Sequence, residues 1–290
     1  MGELLAATVW APGTCGELVE GTIDGNPFLV TCPIDLGSTV QVNRRGTGFP
    51  QGYPKTAQGI LLAAEKTGLP AEELGFERES LLPPGKGMGS STADLAAAIC
   101  ATGLLGGHTF SPEEIARLAL QVEPSDGIMF SGLVLFDHRE GRWLEELGEA
   151  PEINILVVDP GGEVDTVTFN RAADLDLINR KKEPQVRKAL EYIRTGLATG
   201  DLAQIGRGAT ESALANQELL PKPDLPQMIK WAQDVKALGV NVAHSGTVMG
   251  LLLPPDGYHP EEVRPFIRKR RPDWQFYCTR LIGGGLKVLS

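Results

Sequence analysis

Apolar residues recur along the chain with two spacings, one typical of strands and one typical of helices. In the first half, short runs rich in β-branched and aromatic residues predict strands at residues 7–10, 28–31, 39–43, 74–82, 132–137 and 153–159. Residues 56–66 carry apolar side chains at helical spacing, and Gly68 is a suitable C-cap for that helix. Residues 91–105 are apolar on almost every face, so this helix is predicted to be buried.

Helical segments become more frequent in the second half of the chain. A capping-box signature at residues 111–114 opens a helix that Pro124 stops. Further helices are predicted at residues 184–197, 202–218, 225–238 and 260–270. Short strands are predicted at residues 240–244, 248–253, 275–281 and 286–289. The acidic stretch before residue 153 is the expected domain boundary, which divides the chain into domains at 1–150 and 151–290.

The composition narrows the class of protein and its partners. The 290 residues are 42% hydrophobic and 22% charged, as in an ordinary globular enzyme. A net charge of −10 argues against nucleic acid or an anionic membrane as a partner, so a phosphate ligand needs positive charge from backbone amides, a metal ion or a few cations. Four cysteines without a C-x-x-C pair, no signal peptide and no membrane-spanning run indicate a cytoplasmic protein with reduced thiols. Nothing in the sequence specifies an oligomeric state.

A glycine-rich turn before the buried helix is the most informative local feature. Three alternating glycines run into hydroxyl residues; the turn comprises Pro84, Gly85, Lys86, Gly87, Met88, Gly89, Ser90, Ser91 and Thr92. Glycine lets the backbone approach a ligand closely, and the N–H groups at a helix start bind anions. The turn is not a Walker A loop, because no Gly-Lys-Ser/Thr follows, and it lacks the third glycine of the dinucleotide-binding fingerprint. It therefore predicts a cradle for the phosphates of a nucleotide.

Three motifs resemble those of the GHMP kinases, the family of galactokinase, homoserine kinase and mevalonate kinase. Residues 84–93 resemble the phosphate-binding motif, residues 11–21 resemble the N-terminal motif, and residues 242–250 stand where the family carries its glycine-rich C-terminal motif. The resemblance implies an α+β fold of two domains, the first like domain 2 of ribosomal protein S5 and the second ferredoxin-like. It also implies that ATP and Mg²⁺ bind in the cleft between the domains.

Four shorter segments resemble the L-threonine kinases of cobalamin side-chain synthesis, at residues 12–18, 31–35, 123–126 and 243–247. This finer resemblance implies a small-molecule alcohol as the acceptor, namely L-threonine, which is converted to O-phospho-L-threonine. Homoserine kinase is the alternative within the family, because homoserine is an isomer of threonine with its hydroxyl one carbon away. A non-catalytic nucleotide- or metabolite-binding protein is the alternative outside enzymes.

Glu123 and Asp126 are the candidate chemical centre. By resemblance, Glu123 holds Mg²⁺ together with the hydroxyl of Ser90 or Ser91, and Asp126 accepts the proton of the substrate alcohol. Taken alone, this acidic segment is also typical of a surface turn. The chain departs from the mevalonate-kinase pattern at Thr14, where that group has a lysine, and in the short spacing between the two carboxylates.

The resemblance places further residues near the substrate: Thr14, Cys15, Glu17, His244, Ser245, Gly246 and Thr247. Cys15 has no evident activating base, so it is expected to be a packing residue rather than a nucleophile. The segment at 244–247 supports the phosphate loop, contacts the substrate or forms a simple tight turn. Lys86 either supplies charge at the phosphates or is a solvated loop lysine.

Overall fold

The computed structural model describes residues 4–44, 46, 48–162 and 175–290. Its strands are β1 (Ala6–Ile23), β2 (Asn26–Arg44), β3 (Leu74–Ser80), β4 (Leu133–Phe136), β5 (Leu144–Gly148), β6 (Asn154–Asp159), β7 (Gly239–Val242), β8 (Met249–Leu253), β9 (Gln275–Arg280) and β10 (Lys287–Val288). Its helices are α1 (Pro54–Thr67), α2 (Ser90–Leu105), α3 (Pro112–Leu120), α4 (Leu175–Thr199), α5 (Leu202–Ala215), α6 (Leu225–Asp234) and α7 (Pro260–Arg268), with a short 3₁₀ helix at Ala71–Glu73.

In the described residues, ten strands form one antiparallel sheet. Its main path runs β5-β4-β2-β1-β7-β8-β6-β9, with β3 added to β2 and β10 added to β1. The first and second halves of the chain meet where Glu17 of β1 pairs with Val242 of β7. Helices pack against this sheet, so the α+β class is confirmed, whereas the domain boundary at residue 150 stays a prediction.

The middle of β1 is irregular, and this irregularity prepares the site. Its register against β2 shifts three times between residues 12 and 19. Gly16 has a φ of 55°, and a Cβ there would lie 2.4 Å from the carbonyl oxygen of Val242. Register shifts of this kind release backbone groups from the regular ladder. The irregular part of β1 is therefore free to form hydrogen bonds outside the β1–β2 pair.

Helix α2 is a central buried element, as its sequence predicts. Its mid-section is almost fully enclosed, at Leu95, Ala96, Ala97, Ala98 and Ile99. Helices α1 and α3 pack against it, as do strands β1 and β2. Helices α6 and α7 form a second core with β6, β7 and β8. Among the described residues, no helix has the length and apolar character that crossing a bilayer requires.

Three predictions about the elements need correction. The sequence predicts that Pro184 begins a helix, whereas α4 extends to both sides of it. A proline removes one helical hydrogen bond, and packing of α4 on α5 and β1 compensates for that loss. Strands β1 and β2 are far longer than predicted, because each supplies the other with partners across glycine and proline residues. Strand β5 is not predicted at all, since its pairing with β4, rather than an apolar pattern, makes it a strand.

A buried ion pair anchors α2 beside the phosphate loop. Asp94 accepts hydrogen bonds from Arg78 Nε at 2.5 Å and from the Ser38 hydroxyl at 2.5 Å. Arg78→Met leaves this buried carboxylate without its cation, so we expect the free energy of unfolding to fall by about 3 kcal/mol. Chemical denaturation measures the change, with Glu77→Gln, exposed on the same strand, as the control. A loss no larger than that of the control contradicts the anchoring role.

Candidate active site

The glycine-rich turn joins β3 to α2 in a shape that needs glycine at three points. Gly85, Gly87 and Gly89 have φ values of 73°, 80° and 67°, all in the left-handed region. Gly89 directly precedes the first turn of α2, and no side chain of the described residues caps that turn. The first N–H groups of α2 are thus available to an anion, and the helix dipole favours negative charge there.

The irregular part of β1 holds this phosphate loop from one side. The N–H of Thr14 donates to the carbonyl of Met88 at 3.0 Å, and the N–H of Gly16 donates to that of Gly87 at 3.3 Å. The Thr14 hydroxyl reaches the same Gly87 carbonyl at 3.4 Å. Thr14 is buried, and these hydrogen bonds join it to the phosphate loop. Backbone groups released from the sheet therefore set the position of the loop.

The C-terminal motif, residues 242–250, holds the loop from the other side. The N–H of Thr247 donates to the carbonyl of Lys86 at 3.0 Å. Gly246 lies so close to the loop that a Cβ there would be 2.1 Å from the backbone nitrogen of Gly87. This close contact requires glycine on the motif side. Of the roles considered for the motif, support of the phosphate loop is the one that these contacts favour.

Lys86 connects the loop to the second half of the chain. Its Nζ donates to the carbonyl of Gly162 at 2.9 Å and lies 3.6 Å from Asp159 Oδ2. The other carboxylate oxygen of Asp159 accepts a hydrogen bond from the Thr247 hydroxyl at 2.6 Å. The Lys86 ammonium therefore contacts protein groups rather than solvent alone. Its contact with ATP phosphates stays a prediction.

Glu123 lies beside the first turn of α2. The Ser91 hydroxyl donates to Glu123 Oε1, and the Lys55 ammonium pairs with Glu123 Oε2. Mg²⁺ takes hard oxygen ligands and is commonly bound by one or two carboxylates together with substrate phosphates. Glu123 and Ser91 fit that donor set, and Ser90 begins the same helical turn. In the described part of the chain, no group of three or more His, Cys, Asp or Glu residues could hold a metal ion by itself.

Asp126 lies next to the loop at Gly89. Its N–H donates to the Thr92 hydroxyl at 3.4 Å, and its Oδ2 is 3.2 Å from where a Cβ on Gly89 would stand. Burial raises the pKa of Asp126 to about 6; a hydrogen bond with Thr92 opposes the rise and the Glu123 carboxylate adds to it. A carboxyl group with this pKa is ionised at neutral pH and still basic enough to accept a proton.

Glu17, Glu20 and His244 extend the cluster of charges away from Asp126. Glu17 Oε2 accepts a hydrogen bond from the His244 N–H at 2.9 Å, and His244 Nε2 lies 2.5 Å from Glu20 Oε1. Burial, with the nearby Glu20 and Asp126 carboxylates, raises the pKa of Glu17 well above its usual value. Burial acts in the same direction on Glu20, but His244 and Lys182 outweigh it and lower the pKa of Glu20. Of the two carboxyl groups, Glu20 therefore stays ionised at lower pH than Glu17.

The remaining predicted residues divide between the site and its surroundings. The structure gathers around the loop Thr14, Glu17, His244, Gly246 and Thr247. Cys15 is fully buried, its thiol donates to Asn241 Oδ1 at 3.7 Å, and burial raises its pKa to about 12. Such a thiol stays protonated at neutral pH, which favours the packing role. Ser245 is exposed to solvent.

Several ionisable residues of the site were not predicted from the sequence. They are Glu20, Lys55, His138, Lys182 and Lys222. Lys222, for example, is buried and donates to the carbonyl of Gly246. Four of the five lie outside the three motifs, in helices or connections where a charged residue is ordinary. Glu20 alone offers a signal, because it interrupts the apolar run at the end of the N-terminal motif.

Residues 55–132 match the GHMP kinases N terminal domain, and residues 180–272 match the GHMP kinases C terminal domain. The L-threonine kinase of Salmonella typhimurium is 32% identical over 287 residues, which is 97% of this chain and 95% of the relative. The L-threonine kinase of Citrobacter freundii is 29% identical over 97% of this chain and 99% of the relative. A homoserine kinase of Moorella thermoacetica is 26% identical over 73% of this chain and 75% of the relative.

Solved structures show the same fold. The crystal structure of homoserine kinase from Cytophaga hutchinsonii superposes with a TM-score of 0.74 at 19% identity, covering 100% of this chain and 99% of that one. The expected two-domain α+β fold is thereby confirmed. The family matches in both halves of the chain agree with the observed phosphate loop and with the two motifs that hold it. This chain belongs to the GHMP kinases and is a small-molecule kinase of that family.

Proposed function

We propose that the protein transfers the γ-phosphoryl group of ATP to L-threonine, forming O-phospho-L-threonine and ADP for the cobalamin side chain. The observation that carries this proposal is Asp126, a carboxylate with a pKa of about 6 that lies beside the phosphate loop. The similarity to two L-threonine kinases over nearly the whole chain supports the choice of acceptor.

The reaction needs a proton acceptor and fixed positions for the attacking hydroxyl oxygen and the β,γ-bridging oxygen of ATP. The threonine hydroxyl gives its proton to Asp126 while its oxygen bonds to the γ-phosphorus. The bond from that phosphorus to the β,γ-bridging oxygen breaks, and the electron pair leaves with ADP. The amides at the start of α2 hold the phosphates, and the contacts from Thr14 and Thr247 keep the loop in place. Positioning and charge stabilisation supply most of the rate in such transfers.

Glu123 and Ser91 are the residues that would hold Mg²⁺. When bound there, Mg²⁺ would supply positive charge that neutralises the phosphates of ATP. Ser91 also donates to Glu123, so its loss removes both a ligand and a contact that orients the carboxylate.

Ser91→Ala should raise the Mg²⁺ concentration for half-maximal activity about tenfold, with kcat at saturating Mg²⁺ changed less than about threefold. The measurement is ADP release against Mg²⁺ concentration, alongside calorimetric ATP binding with and without Mg²⁺. Ser90→Ala is the matched control one residue earlier. If Ser90→Ala shows the shift and Ser91→Ala does not, the metal ligand is Ser90.

Homoserine is the second candidate acceptor, favoured by the similarity to the homoserine kinase of Moorella thermoacetica. Discrimination between isomers whose hydroxyls differ by one carbon is worth only a few kcal/mol, on the order of 1–3. A non-catalytic binding protein is less well supported, because a phosphate-binding role alone gives no use for the carboxylates of Glu123 and Asp126 beside the loop.

A coupled assay of ADP release with Mg·ATP tests the proposal on threonine, serine, homoserine and mevalonate. We expect the highest kcat/KM with L-threonine. A preference for homoserine would replace the proposed acceptor while leaving the kinase intact. Binding of ATP without ADP release on any of the four alcohols would support the non-catalytic alternative instead.

A further inference from the structure

A small cavity is lined in part by His244. Its polar lining comes from four separate parts of the fold: Glu20 in β1, His138 and Arg139 after β4, Lys182 in α4, and His244 after β7. Its volume is about 20 Å³, room for roughly one water molecule. The cavity is therefore small, and several ionisable side chains line its walls.

The polar groups that line this cavity are incompletely satisfied by their neighbours among the described residues. The Lys182 ammonium is 8% exposed and donates one hydrogen bond, to Asn216 Oδ1 at 2.6 Å. Arg139, which also lines the cavity, is exposed to solvent. The buried Nδ1 of His138 lacks a hydrogen-bond partner in the described part of the chain. Buried polar groups in proteins are nearly always satisfied, so an unpaired one here indicates a missing ligand.

Two residues that line the cavity, Glu20 and His244, also act on the candidate base Asp126. The wall residue His244 is bound through its backbone N–H to Glu17 and through its ring to Glu20. Glu20 and His244 both lie close enough to Asp126 to influence that carboxylate. A ligand in the cavity therefore contacts residues that act on Asp126.

We propose that this cavity binds the α-amino-acid head group of the acceptor, its carboxylate contacting Lys182 and Arg139 and its ammonium contacting Glu20. The inference rests on the proposed function, since it assumes an amino-acid substrate. A zwitterion needs one cationic and one anionic partner a few ångströms apart, and Lys182 and Glu20 face the same cavity. The hydroxyl of threonine, one carbon from the α carbon, then points toward Asp126.

Binding of the head group requires that the ion pair between Glu20 and His244 opens. A cavity of about 20 Å³ does not admit the head group while Glu20 is paired with His244. The ammonium of the substrate replaces His244 as the partner of Glu20, and the freed space admits the carboxylate to Lys182. The unpaired Nδ1 of His138 supplies a further hydrogen bond.

Lys182→Met tests the carboxylate contact, with Lys181→Met as the matched control. Lys181 is the neighbouring residue, but its side chain is 70% exposed and pairs with Glu218 at the surface. We expect Lys182→Met to raise the KM for L-threonine at least about 30-fold, because a buried charged contact is lost. The KM for ATP should stay near that of the control, whereas the melting temperature should fall, because the buried Oδ1 of Asn216 loses its donor.

L-Threoninamide separates recognition from folding, since it keeps the hydroxyl and the ammonium but lacks the carboxylate. The wild-type protein should prefer L-threonine to L-threoninamide by at least about 30-fold in kcat/KM, and Lys182→Met should abolish most of that preference. Equal losses on both compounds, or a KM no higher than with Lys181→Met, overturn the head-group assignment while leaving threonine kinase activity established.

The remaining outcomes separate this inference from the proposed function. If wild-type protein prefers homoserine and Lys182→Met raises the KM for homoserine, the head-group site stands and the proposed acceptor is wrong. If the wild-type protein neither phosphorylates an amino acid nor binds L-2-aminobutyrate, which is threonine without its hydroxyl, both proposals are overturned.

Discussion

Replacement of Asp126 by asparagine should lower kcat about 10²- to 10⁴-fold while the KM for ATP changes less than about threefold. The carboxylate lies beside Gly89, and in the proposed mechanism it contacts the acceptor hydroxyl rather than the adenosine part of ATP. Steady-state kinetics with L-threonine and Mg·ATP measure both constants. Asp35→Asn is the control, since Asp35 belongs to another family-like segment but binds Thr279 and Arg280.

The pH dependence gives the same assignment a second test. In the proposed mechanism Asp126 acts in its ionised form, and burial raises its pKa to about 6. Activity should therefore be constant above about pH 7 and fall as the pH drops through 6, approaching a tenfold loss per unit. The Asn variant should lose this acid limb from its residual activity. An unchanged kcat, or a variant that keeps the acid limb, assigns the proton acceptor elsewhere.

Gly87→Ala should lower kcat/KM for ATP at least about 100-fold. A Cβ at this position would lie 2.3 Å from Cβ of Ala243, and the backbone of Gly246 stands at 3.1 Å. The loop must then move away from the C-terminal motif, and small displacements of bound phosphates are costly in catalysis, about 10²-fold for 1 Å. Calorimetric ATP binding and steady-state kinetics measure the loss.

Gly85→Ala is the control that isolates this contact. Gly85 and Gly87 both have left-handed φ values, 73° and 80°, so alanine costs each position about 1–2 kcal/mol of backbone strain. A Cβ on Gly85, however, has no atom within 4 Å. We expect Gly85→Ala to destabilise the protein similarly while changing kcat/KM for ATP less than about fivefold. Equal kinetic losses in both variants would show that strain, and not the Ala243 contact, governs the loop.

The elements that could be predicted from the sequence are those whose signals are local. The buried helix expected at 91–105 is α2, and the capping box at Ser111 forms with both of its hydrogen bonds. The elements that were missed depend on distant partners. Strand β5 exists because β4 pairs with it, and α4 accommodates Pro184 because α5 and β1 pack against it. Strand formation in particular follows context more than intrinsic preference.

By itself, the sequence determined that this chain carries a GHMP-type phosphate loop, because alternating glycines and the hydroxyl residues after them are local requirements of a turn that approaches phosphate. Only the tertiary structure decided which ionisable groups gather around Glu20. Glu20, His138 and Lys182 are remote in sequence and meet where β1, the end of β4 and α4 converge. Burial, which no single residue type encodes, raises the pKa of Asp126 to about 6 and lowers the pKa of His138 to about 4.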